Sequence, residues 1–120
     1  MTFYIAPSYD SHYSCPNGHN NSSGAIHVDR RTWTCTECHY PLDIDMTDSS
    51  GLTLTVERHP AKTIRKGDHI VWDKGNSHLA SGKVHRSFAP DSKQQATHWT
   101  LFVEDYGSGT VPANQYTNRI

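Results

Sequence analysis

Two short segments, CPNGH at residues 15–19 and CTEC at residues 35–38, constrain this chain more than any other feature. Each offers two metal donors within a few residues, so Cys15, His19, Cys35 and Cys38 form a candidate ligand set. Two donor pairs of this kind close around one tetrahedral zinc ion while the intervening chain makes a hairpin. The stretch between them suits that role, since AIHV at 25–28 and RTWT at 31–34 both read as strands. Pro16 and Gly18 help the first loop turn tightly, and Gly18 can take positive φ without strain. Backbone amides in such loops can point at thiolates and favour their charged form. His12, His27 and His39 compete for the fourth position, but none pairs with a cysteine across a Pro-Gly turn as His19 does. Four protein ligands leave no open coordination position, so the expected ion is a single structural Zn2+. Such a site contributes on the order of 10 kcal/mol to folding.

Composition explains why a metal would be needed. Only 34% of the 120 residues are hydrophobic and the mean hydropathy is -0.72, so an unaided apolar core would be thin. Three cysteines cannot all pair in disulfides, and a two-residue gap between two of them is a metal spacing more than a disulfide spacing. A reducing compartment follows. The opening MTFYIAPSYD lacks the basic and apolar regions of a signal peptide, and no apolar run approaches the roughly 18 residues of a membrane span. The expected location is therefore the cytoplasm, with no membrane partner. A formal charge of -1 provides no overall field toward nucleic acid or lipid, so any such binding is local. Nine histidines turn the net charge positive as pH falls below about 6.5.

Period-two alternation dominates the second half, and nothing reads as a long amphipathic helix. Residues 98–104 place Trp99, Leu101 and Val103 on one face and His98, Thr100, Phe102 and Glu104 on the other, which predicts a central strand. Leu52, Leu54 and Val56 alternate in the same way, and residues 68–73 put Ile70 and Trp72 together. A fourth strand is expected over 79–88 with a bulge or bend at Gly82, and a short fifth after residues 106–109. Residues 43–51 read as a linker, with a boundary near Ser49 dividing residues 1–48 from residues 49–120, and residues 89–96 read as a loop. Five short strands in the second part suit a small barrel. The Lys66, Gly67, Asp68 turn before an apolar strand, with Gly82, Lys83 and Val84 in a later one, resembles SH3-like barrels in pattern only.

Residues 15–42 resemble the zinc-ribbon family in its double-zinc-ribbon form. There the first knuckle often reads Cys-Pro-x-Gly-His followed by Asn, and the second Cys-x-x-Cys-Gly followed by Pro-Leu, as at Cys15 to Asn20 and Cys35 to Leu42. The resemblance implies that all four positions bind zinc. It departs at His39, which stands where the family has Gly, so the second knuckle should be less relaxed there. The expected fold is mainly β, a zinc ribbon followed by a small SH3-like barrel.

The resemblance implies a non-enzymatic adaptor for a protein or nucleic-acid partner. Arg30, Arg31, Trp33, Lys66, Trp72, Lys83 and Arg86 are its candidate contacts, and Lys62 and Arg65 extend the basic strip. Trp72, Trp99, Phe102, Tyr106 and Tyr116 form either an aromatic patch or a core. His59, His69, His78, His85 and His98 show no ligand spacing. They nevertheless define the rival reading, a small enzyme or enzyme inhibitor using these histidines or a second metal. Small size and a two-module build raise a third, a phage or mobile-element protein that binds a host machine.

Overall fold

A computed structural model describes residues 3–19, 28–90 and 97–120. Within them the fold is mainly β. The strands are β1 (Asp10–Ser14), β2 (Val28–Asp29), β3 (Thr34–Cys35), β4 (Asp43–Thr47) and β5 (Thr53–Pro60) in the first half of the chain. β6 (His69–Gly75), β7 (His78–Phe88), β8 (His98–Val103), β9 (Gly107–Pro112) and β10 (Tyr116–Arg119) follow. Eight of them form one sheet in the order β1-β4-β5-β10-β6-β7-β8-β9, and β2 pairs with β3 alone.

The alternating segments largely become strands as their patterns predict, except that Leu52 lies before β5 and stays exposed. In β5 the inward face is Leu54, Val56 and then Arg58, and in β8 Leu101 and Val103 are fully buried while Phe102 points outward. β8 lies between β7 and β9, one strand in from the sheet edge. β6 is buried on both faces, because Ile70, Val71 and Trp72 are consecutive and all covered. Ile70 and Trp72 enter one core with Phe3, Ile64, Val84, Leu101, Val103 and Val111. Val71 enters the other, with Leu42, Ile44, Met46, Val56, Leu79 and the cysteine-bearing turns. The sheet thus offers opposite faces to a metal-side core and a distal core.

Three expectations change. The sheet is open and does not close into a barrel. β10 inserts between β5 and β6, and β4 and β1 then extend the ladder outward, which leaves β1 and β9 as the two edges. The expected linker is largely strand: β4 pairs with β1 on one side and β5 on the other, with Ile44 and Met46 fully buried. Its alternation is masked by three polar neighbours, Asp43, Asp45 and Thr47, on the outer face. The boundary near Ser49 falls in the β4–β5 turn, inside this continuous sheet. Gly82 is not a bulge, since it stays in register with Ile70. A Cβ there would lie 2.4 Å from the Glu104 carbonyl oxygen and 3.1 Å from the Trp72 ring, so close approach requires the glycine. The bulge of β7 sits between Val84 and Arg86. Most of the predicted loop at 89–96 lies outside the described residues.

Candidate metal centre

The second knuckle follows directly from local chain geometry. β2 and β3 pair through Val28 with Cys35 and Asp29 with Thr34. Between them residues 30–33 turn, so the expected strand at 31–34 shortens to Thr34 and Cys35. Asp29 shapes the turn: its carbonyl oxygen accepts the Thr32 and Trp33 amides, and its carboxylate accepts the Arg31 amide at 3.0 Å. That amide, with the Arg31 side chain, holds the Asp29 carboxyl below its ordinary pKa. The predicted strand at 25–28 lies outside the described residues except for Val28.

After β3 the chain doubles back. The His39 amide donates to the Cys35 carbonyl at 2.8 Å and the Cys35 amide to the Tyr40 carbonyl at 3.0 Å. This turn needs a left-handed residue, and His39 takes φ 61 in the place where the resembling family carries glycine. The first knuckle solves the same problem with Gly18 at φ 79, its amide on the Cys15 carbonyl.

The two turns bring Cys15, His19, Cys35 and Cys38 together, with all four donor atoms within 4.8 Å of one another. The Cys15 sulfur lies 3.5 Å from the Cys38 sulfur and 3.6 Å from Nδ1 of His19, and the Cys35 sulfur lies 3.9 Å from the same nitrogen. A tetrahedron with metal–sulfur bonds of about 2.3 Å and metal–nitrogen bonds of about 2.0 Å has edges of about 3.5 to 3.8 Å. The donor set fits one ion of that size. His12 and His39 stand outside the cluster, and His27 outside the described residues.

Backbone amides prepare the sulfurs for a cation. The Glu37 amide donates to the Cys35 sulfur at 3.4 Å. The Tyr40 amide is the main cause that pulls the Cys38 thiol down to about 6, helped by Asn17 and His19 against the opposing effect of burial. Cys15 receives the amides of His19 and Asn17, yet burial outweighs them and pushes its thiol up. Cys15 and Cys35 are buried, Cys38 is half-buried and His19 is open to solvent. The polypeptide thus shields two sulfurs and leaves the imidazole as the outer wall.

Behind this hairpin lies a buried ionic group that sequence reasoning missed. Arg58 of β5 has no exposed side-chain surface and grips Asp10 of β1 through both terminal nitrogens, at 2.9 and 2.6 Å. Its Nε donates to Oδ1 of Asn118 at 2.8 Å, and Asn118 in turn donates to the carbonyls of Ile5 and Val71. The Arg58 guanidinium also lies 4.2 Å over the Trp33 ring, beside which Tyr13 stacks at 19°. Trp33 takes φ 57 and sits two residues before a ligand cysteine, so this contact ties the metal hairpin to the sheet. The available signal was phase, because Arg58 continues the inward series of Leu54 and Val56.

The other predicted residues separate into two groups. Trp33 is 6% exposed and Trp72 3%, so neither offers a partner a surface, which corrects that expectation. Both are large rings with indentations to fill, and the two cores take them. Arg30 is exposed but stacks 5.4 Å over Tyr13, whereas Arg31, Lys66, Lys83 and Arg86 are exposed without such cover from the hairpin. Of the aromatic set only Phe102 is open: Tyr106 packs on Phe3, Tyr116 against the metal-side core, and Trp99 donates its indole N–H to Ser87. His59 and His85 each face a carboxylate, Glu57 at 2.8 Å and Glu104 at 3.7 Å. The cysteine-histidine set is the one metal-sized cluster among the described residues. Comparison with protein-family models, curated proteins and solved structures finds no match, so the reading rests on these residues alone.

Proposed function

We propose that this protein is a zinc-stabilised, non-enzymatic adaptor that presents a metal-pinned hairpin and an open sheet to a protein or nucleic-acid partner. The observation that carries the reading is the four-donor set itself. Three sulfurs and one imidazole at tetrahedral spacing favour zinc, and four protein donors complete its usual coordination without a water. The ion would be held by Cys15, His19, Cys35 and Cys38, and its chemistry would be charge neutralisation and cross-linking. The chain's own groups do the rest: amides orient the thiolates, and Trp33 on Arg58 fixes the hairpin against the sheet. Rigid hairpins and sheet faces lose little conformational entropy on binding, which suits recognition. Three cysteines without a disulfide suit a reducing compartment, and the cytoplasm is part of this reading; no helix among the described residues is long and apolar enough to cross a membrane.

Elemental analysis of the purified chain tests the reading. One zinc per chain, lost together with hairpin structure on chelation, is the expected result. A metal-free protein with an unchanged amide spectrum would overturn it, and a second equivalent of metal would move the chemistry to the histidines of the sheet.

A further inference from the structure

The outward face of β7, β8 and β9 carries an exposed aromatic ring beside basic side chains. Phe102, the next-to-last residue of β8, stands 45% exposed while its neighbours Leu101 and Val103 are buried. Arg86 of β7 lies directly opposite it, and Ser108 of β9 flanks its other side. In the next row Phe88, Thr100 and Thr110 lie side by side, the two threonine hydroxyls joined at 2.8 Å. Strict alternation after buried Val84 would turn Arg86 inward. The bulge between them re-aims it to the open face, where its guanidinium lies 4.6 Å over the Phe88 ring. No carboxylate among the described residues pairs with Arg86, or with exposed Lys83 on the same strand. Glu104, just past the end of β8, faces His85 at 3.7 Å.

An open aromatic ring beside a guanidinium that no carboxylate among the described residues pairs suits a ligand that is planar at one point and anionic at the next. Single-stranded nucleic acid has that alternation: bases stack on aromatic side chains of a sheet face while cations follow the phosphates. The chain's charge of -1 provides no long-range attraction, so a short, stacked contact is the form such recognition takes here. We propose that this face is a stacking platform for a short single strand, with a base on Phe102 and a phosphate on Arg86. The proposal rests on the adaptor reading and names nucleic acid as its partner.

Fluorescence anisotropy of labelled oligo(dT) and oligo(rU) of about 8 nucleotides, added to the zinc-loaded full chain, tests it. Binding at low salt should weaken as salt rises. Phe102→Ala should weaken it about tenfold or more, Phe102→Leu nearly as much, and Phe102→Tyr little. Arg86→Ala should lower the salt dependence by about one ion. Phe102 and Arg86 are exposed, so these variants should keep their zinc and their circular dichroism spectrum, and the Leu and Tyr replacements isolate the ring's role from packing. Absence of binding by folded, zinc-loaded protein overturns the platform, as does binding indifferent to Phe102 and Arg86. The adaptor reading would survive either result with a protein partner, whereas its own failure shows in the metal analysis.

Discussion

Around Leu42, Ile44 and Met46 the chain is closed by cysteines, a buried guanidinium and a tryptophan at left-handed φ, whereas around Phe3, Ile64 and Leu101 it is closed by apolar contact. The metal-side hairpin has strands of only two residues each, far too short to stand alone. The distal strands run from six to eleven residues and enclose a T-shaped pair, Phe3 and Trp72, with rings 6.2 Å apart. One region is stable only when a small set of polar partners is complete. The other is stable by area, and loses strength in proportion to what is removed.

Removal of the metal should produce the largest effect and should separate the two. Under a strong chelator, or in a Cys35→Ser variant, the amides of Cys35, His39 and Leu42 should lose hydrogen-exchange protection while those of β7 and β8 keep theirs. Simultaneous loss everywhere would show one cooperative unit and erase the contrast.

Next in size is Arg58→Met, which leaves the Asp10 carboxylate buried without its cation and should destabilise the protein by about 3–5 kcal/mol in denaturant titration. Adding Asp10→Asn should recover part of that loss, because the uncompensated charge is then gone. A Met variant of unchanged stability would mean that the ion pair is dispensable.

Gly82→Ala probes the distal side through overpacking. A methyl group 2.4 Å from a backbone oxygen forces β7 and the β8 end apart, at about 1–3 kcal/mol, without altering zinc content. Should zinc be lost as well, the two regions are coupled through β6.

The smallest expected effect lies where the regions meet. Asp48, in the β4–β5 turn, accepts the Ser50 hydroxyl and the amides of Ser50, Leu52 and, across in β7, Leu79. These bonds, the Ser50 hydroxyl first, lower its carboxyl from the usual 3.8 to about 2. A depressed carboxyl stabilises the fold above its unfolded pKa, and that contribution disappears as pH falls from 3.8 toward about 2. The difference in Tm between the native chain and Asp48→Asn should therefore shrink across that window. A constant difference would show that Asp48 acts by packing alone.

The ligand set was legible because each half of it lies within five residues of chain, where spacing dictates geometry. The outer strands were legible for the same reason, since a period of two is a local property. Arg58 was hidden because a charged residue at an inward phase reads as the end of a strand until its partner, 48 residues away at Asp10, is known. The covered tryptophans were hidden likewise: exposure of a ring depends on what packs against it.

The sequence by itself determined three thiol donors and one imidazole at metal-ligand spacing, a β-dominated chain and the conformational demand at residues 18 and 39. Only the tertiary structure decided that β10 would slip between β5 and β6, that the sheet would stay open, and that a bulge would turn Arg86 toward Phe102. Spacing and alternation act through neighbours along the chain, whereas strand order and exposure depend on which distant edges find backbone hydrogen-bond partners.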